Sequence, residues 1–170
     1  EEKHDADFIL CTHTHYDHYS PEDIEKVRKK DTIIIAPADI DGVAKVIPNV
    51  KYVLNGLKFQ TTYAYNLEKR FHPKENQWVG YLIELDGKTY YIAGDTDNIP
   101  EIKNIECDVA FLPVGGTYTM TSEEAAELCK SLKAQVVIPT HYGSVVGDKE
   151  DGNKFAELVK NRKVEIIMKQ

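Results

Sequence analysis

The stretch Thr12-His13-Thr14-His15-Tyr16-Asp17-His18 sets three imidazoles and one carboxylate within positions 13 to 18. Neutral imidazole nitrogen and carboxylate oxygen are the ligands that zinc and similar divalent cations prefer. On an extended backbone, side chains two residues apart point to the same side, which places His13 and His15 to clasp one cation. Asp17 and His18 follow where the chain is expected to turn, and so are placed to face a second cation. A polar loop that is His-rich by accident is the plain alternative. It explains less, because candidate ligands recur downstream in matching contexts.

The chain has six histidines. His13, His15, His18, His72 and His141 stand in settings that suit a metal site. His4, in Glu-Glu-Lys-His-Asp, reads as an ordinary exposed residue. Gly94-Asp95-Thr96 follows the strand-like run Lys88 to Ala93, and Pro139-Thr140-His141-Tyr142-Gly143 follows Gln135 to Ile138. Each candidate ligand thus sits just past a buried-looking strand, where a rigid scaffold offers side chains to a site. The bland readings are a turn carboxylate for Asp95, a satisfied strand-end histidine for His141 and a structural turn for His72.

With these segments together, the sequence resembles the metallo-β-lactamase superfamily of metal-dependent hydrolases. Residues 12–18 are similar to its HxHxDH signature, Gly94-Asp95-Thr96 to its later Asp motif and Pro139 to Gly143 to its last His motif. Phe71-His72-Pro73-Lys74, Gly94-Asp95-Thr96-Asp97 and Leu112 to Thr121 look like the lactonase-like branch, which includes the ascorbate-6-phosphate lactonase type. The resemblance implies an α/β fold, the four-layer αββα sandwich, in one hydrolase domain over residues 1–170. Twelve residues precede His13, where such domains carry further strands, so the N-terminal strands are expected to be missing and the domain N-terminally incomplete.

Composition fits this. A chain of 170 residues with 42% hydrophobic content suits one domain with a real core. No apolar run approaches the roughly 18 to 20 residues that span a bilayer, so no membrane partner is expected. The net charge of −7, without a basic stripe, argues against nucleic-acid binding. Three scattered cysteines, Cys11, Cys107 and Cys129, read as buried thiols in a reducing, cytoplasmic compartment.

The coarse pattern alternates strand and helix. Strands are expected at Asp7 to Cys11, Thr32 to Ala36, Lys51 to Leu54, Leu57 to Tyr65, Asp108 to Pro113, Val136 to Pro139 and Val164 to Met168. Asp86-Gly87 predicts a type I′ hairpin between Val79 to Leu85 and Lys88 to Ala93. Ser20-Pro21-Glu22-Asp23 starts a helix running to about Lys30. Further helices are expected at Asp39 to Val46, Ser122 to Leu132 and Gly152 to Lys160.

The expected cofactor is a pair of divalent metal ions, zinc first, with manganese, iron or nickel as alternatives. His13, His15 and His72 make the first site and Asp17, His18 and His141 the second, with Asp95 bridging. A bridging hydroxide would attack a lactone, ester or similar carbonyl of a small molecule. Asp17 and Asp95 are the catalytic carboxylates, Asp17 orienting the nucleophile or shuttling its proton. Arg70, Lys74 and Tyr118 are candidate substrate contacts. The alternatives are a phosphodiesterase or phospholipase-D-like hydrolase on the same site, and a non-catalytic metal-binding protein. A homo-oligomer is also open.

Overall fold

Parallel pairing decides where this chain's loops go. The structure is a computed structural model that describes residues 3–160 and 162–167. It divides into two units, Glu1–Ile47 and Pro48–Gln170.

In the first unit, β1 (Ala6–Leu10) pairs in parallel with β2 (Arg28–Ala36), and β2 pairs in parallel with β3 (Val43–Lys45). Helix α1 (Pro21–Val27) connects β1 to β2. Ser20 caps it, its hydroxyl accepting from the Asp23 backbone N–H at 3.2 Å, and Pro21 fills the first helical position, where no N–H is needed. The helix is shorter than its sequence suggests. Arg28 caps it in an extended conformation, and residues 28 to 30, expected as helix, begin β2. Pairing with β1 supplies the reason: the Thr32 hydroxyl donates to Ala6 O at 2.6 Å and accepts from Lys29 N at 2.8 Å. The helix expected over Asp39 to Val46 is absent. Gly42 turns at φ 75°, and Val43 to Lys45 take strand partners on Ile34 to Ala36. The β-branched Val43 suits that extended role better than a helical one.

The second unit holds a seven-stranded sheet in the order β10-β9-β8-β7-β6-β5-β4. Its strands are β4 (Lys51–Leu54), β5 (Leu57–Tyr63), β6 (Val79–Leu85), β7 (Lys88–Ile92), β8 (Glu106–Pro113), β9 (Lys133–Thr140) and β10 (Lys163–Val164). β4 to β7 form an antiparallel meander, and β7 to β10 pair in parallel. Asp86 and Gly87 both take positive φ, 50° and 72°, as the expected type I′ hairpin requires. Asn55-Gly56 turns the β4–β5 hairpin in the same way, at 44° and 84°. That second Asn-Gly signal is equally visible in the sequence. The final strand is shorter than expected, and Met168 lies outside the described residues.

Helix α2 (Ser122–Ser131) joins β8 to β9, and α3 (Asp151–Leu158) joins β9 to β10. Thr121 and Glu124 close a capping box at the start of α2. The core of this unit gathers Tyr91, Ile99, Ile102, Leu112, Met120, Leu128, Leu132, Val137 and Phe155, all essentially inaccessible to solvent.

Direction follows from the pairing. β5 runs opposite to β6, and β6 opposite to β7, so β5 runs with β7, β8 and β9. The ends at Tyr63, Ile92, Pro113 and Thr140 therefore share one edge of the sheet. The loops that leave this edge carry His72, Asp95, Tyr118 and His141.

Cys11, Cys107 and Cys129 are all buried. Burial raises the thiol pKa of Cys107 and of Cys129 to about 11, and that of Cys11 above its ordinary value. Each is therefore held as the protonated, weakly nucleophilic thiol at neutral pH. A chromogenic disulfide reagent at pH 8 is expected to react slowly with the folded protein and promptly once guanidinium unfolds it. Three fast equivalents in the folded state would contradict the placement.

Candidate metal centre

In the first unit the chain leaves β1 after Leu10, and the Cys11 N–H donates to Ile35 O at 2.8 Å. It then enters the histidine-rich loop. His13 is buried, with its Nδ1 3.0 Å from the Thr12 hydroxyl and its Nε2 3.1 Å from His15 Nδ1. The His18 ring lies 4.1 Å from the His13 ring, centroid to centroid, and His18 Nε2 lies 3.5 Å from Asp17 Oδ2. The loop turns as expected: the N–H groups of His18 and Tyr19 both donate to His15 O. Tyr16, between the ligand positions, points to solvent. This loop thus brings together three imidazoles and a carboxylate from residues 13–18.

In the second unit, three separate loops converge on one oxygen. His72 Nε2 lies 3.3 Å from Asp95 Oδ2, and His141 Nε2 lies 3.1 Å from the same atom. Asp95 and His72 are 4% and 1% exposed. Burying a carboxylate is costly without cationic compensation. Two imidazole nitrogens directed at one carboxylate oxygen are a donor set that a divalent cation fits.

The loops are fastened to each other around these side chains. Asp97 N donates to Tyr65 O, Met120 N to Thr96 O, Asn66 N to His72 O and Val114 N to Thr140 O, all within 2.8–3.2 Å. The buried Thr96 hydroxyl bonds to Tyr65 and Asp97 backbone atoms, locking the residue beside Asp95. His141 takes a left-handed conformation, φ 57°, uncommon for a residue with a side chain. Gly115 makes room for it: a Cβ there would stand 2.2 Å from His141 O.

The other side chains around these loops divide. Trp78 packs edge-on against the His72 ring, with centroids 5.5 Å apart, and so braces a candidate ligand. Tyr118 meets the half-exposed Phe71 edge-to-face at 4.5 Å, which sets an aromatic pair beside His72 in the chain. Arg70 is exposed on the same loop. Lys74 differs from expectation. Its ammonium is 2.6 Å from Glu101 Oε1 and lies over the Tyr63 and Tyr65 rings. The Glu101 hydrogen bond holds its pKa above the ordinary lysine value. That cation thus already has a carboxylate partner. Tyr142 packs against the backbone of α3, where a Cβ on Gly152 would collide with its ring.

Sequence reading missed Asn66, Lys69 and Asp97. Asn66 Oδ1 accepts from both the backbone N–H of His72, at 3.1 Å, and His72 Nδ1, at 3.0 Å. Asp97 accepts from Asn66 Nδ2, Leu67 N and Lys69 Nζ. The second acid of Gly94-Asp95-Thr96-Asp97 was the available signal.

Comparisons with known proteins bear on the fold and the family. The family described as the β-lactamase superfamily domain matches residues 1–141. A UPF0173 metal-dependent hydrolase of Lysinibacillus sphaericus is 32% identical, over 95% of this chain and 78% of its own length. A UPF0173 metal-dependent hydrolase of Thermococcus onnurineus is 31% identical, over 99% of this chain and 81% of its own. Among solved structures, a proposed metal-dependent hydrolase of Parabacteroides distasonis superposes with a TM-score of 0.87 at 33% identity, covering 98% of this chain and 78% of the other. The α/β fold is thus the metallo-β-lactamase-like one, and the chain belongs to the β-lactamase superfamily domain family, within its UPF0173 branch of metal-dependent hydrolases.

Proposed function

We propose that this protein is a metal-dependent hydrolase acting on a lactone, ester or similar carbonyl of a small molecule. The observation that carries the reading is the convergence of His72 and His141 on Asp95 Oδ2. The His13 loop, with its own packed imidazoles, and the names of the UPF0173 relatives support it. We assign His13, His15 and His72 to one cation, Asp17, His18 and His141 to a second, and Asp95 to both, since a carboxylate has two oxygens to share. Zinc is the first choice for this nitrogen and oxygen set. Bound divalent cations would supply Lewis acidity, polarising a carbonyl oxygen and letting water ionise near neutral pH.

The chain's own residues do the rest. His72 and His141 face Asp95 from two sides, so nitrogen and oxygen donors from three loops are gathered before substrate arrives. Asp17, exposed beside His18, is placed to take and pass a proton. Tyr118, set against Phe71, is a candidate hydroxyl donor to substrate, and Arg70 a candidate anion contact. The segments around His72, Asp95 and Leu112 to Thr121 favour the lactonase-like branch. A small-molecule substrate is the partner this site implies. Among the described residues no helix is long and apolar enough to cross a membrane.

The test is turnover by metal-loaded protein on a panel of lactones, aryl esters, phosphodiesters and β-lactams, with zinc or manganese supplied. Hydrolysis of lactones or esters that a chelator abolishes is expected. Preference for phosphodiesters would move the assignment to the phosphodiesterase class. Metal uptake without turnover on any substrate would favour a binding protein.

A further inference from the structure

Asn66 carries a hydrogen-bond pattern that determines its orientation and, through it, the state of His72. Its Nδ2 lies 3.1 Å from Asp97 Oδ1 and 2.8 Å from Tyr118 O. Both partners are acceptors only, so the amide nitrogen must face them. Its Oδ1 then faces His72, where it accepts the backbone N–H at 3.1 Å and lies 3.0 Å from the ring Nδ1. A carbonyl oxygen cannot donate. Nδ1 therefore carries a proton towards it, and Nε2, 3.3 Å from the acceptor Asp95 Oδ2, is the ring nitrogen left for a cation or a second proton to bridge to that carboxylate.

Asp97 is fixed in turn. Its Oδ1 also accepts from Lys69 Nζ at 2.7 Å, its Oδ2 accepts from Leu67 N at 2.9 Å, and Lys69 Nζ reaches Thr119 O at 2.8 Å. Asn66 and Asp97 are both buried. In the low dielectric of such a site a fully satisfied network is rigid, and a partly satisfied one is costly. Lys69 offsets the charge of Asp97, Asp97 orients Asn66, and Asn66 orients His72.

We propose that Asn66 is a positioning residue that locks His72 as its Nδ1–H tautomer and so presents Nε2 to a divalent cation, with Asp97 and Lys69 holding Asn66 in place. This rests on the proposed role of His72 as a ligand. The two acids of Gly94-Asp95-Thr96-Asp97 then have separate tasks: Asp95 faces the imidazole nitrogens, and Asp97 clamps the loop that carries one of them.

The tautomer is read directly from imidazole nitrogen shifts in long-range 1H–15N spectra of metal-free, 15N-labelled protein. The parent is expected to show His72 protonated on Nδ1, with Nε2 either open or carrying a second proton towards Asp95. Asn66→Leu, which removes the acceptor, is expected to mix the tautomers and lower zinc affinity about 10- to 100-fold, measured by competition with a chelating dye. Asn66→Asp keeps an acceptor for Nδ1–H and is expected to retain the tautomer. His72 with Nδ1 unprotonated in the parent would overturn the proposal, and the parent spectrum decides this even where Asn66→Leu does not fold. An unchanged tautomer in folded Asn66→Leu would overturn it equally. A parent with the expected tautomer that binds no zinc would refute the hydrolase reading and leave the Asn66 assignment standing.

Discussion

Replacing Asp95 by alanine is expected to remove metal from both proposed positions and to abolish turnover. His72 and His141 each face Asp95 Oδ2, and the carboxylate is almost wholly shielded from solvent. The substitution takes away the one group that both imidazoles address. A bridging ligand acts on both cations, so the loss is expected to be cooperative rather than one equivalent of two. Metal catalysis contributes several kcal/mol, so turnover should fall about 10³-fold or more. The fold should survive, because removing a buried carboxylate also removes its desolvation cost. Metal content by mass spectrometry, alongside turnover and a melting curve, checks all three. Parent-like metal content in a folded Asp95→Ala protein would refute the bridging role.

Gly115→Ala is expected to damage both stability and the site. The new methyl would lie 2.2 Å from the backbone oxygen of His141 and 3.2 Å from Val146 Cγ2. The first contact is with backbone, which cannot rotate away. Overpacking of this kind costs about 1–3 kcal/mol. The strain falls on His141, which already holds an unfavourable left-handed conformation, so the residue is expected to move and loosen its approach to Asp95. Urea denaturation should show a lower midpoint, and zinc affinity should fall with it. Gly42→Ala is a useful contrast, because a Cβ there has open space and its cost comes from the positive φ alone. A Gly115→Ala protein with parent stability and zinc affinity would contradict the packing described here.

Much of this was legible in the sequence, for reasons that can be named. Local rules worked where a signal and its consequence lie within a few residues. Asp86-Gly87 specified its hairpin, Ser20-Pro21 its helix start, and the apolar runs before Asp95 and His141 the parallel strands that deliver them. Long-range pairing overrode local propensity in two places. Arg28 opens a strand because Ala6 of β1 pairs with it, and Val43 to Lys45 join one because β2 offers them partners. The network behind His72 was hidden for a related reason. Asn66 and Asp97 are 31 residues apart, and no periodicity links them. The pairing of Lys74 with Glu101 was hidden in the same way, because the two lie 27 residues apart. The candidate ligands were visible because their chemistry is unusual. The residues that orient them are ordinary polar types, which only the folded chain distinguishes.

We propose above that the His13 loop and the Asp95 cluster serve the same cations. Anomalous diffraction from crystals of the protein grown with zinc tests it most directly. Two anomalous peaks per chain are expected, with His13, His15 and His72 nitrogens about 2.0–2.1 Å from one ion. Asp17, His18 and His141 should ligate the other, and Asp95 should touch both. Zinc bound by the His13 loop alone, with Asp95, His72 and His141 making no bond to any ion, would contradict it.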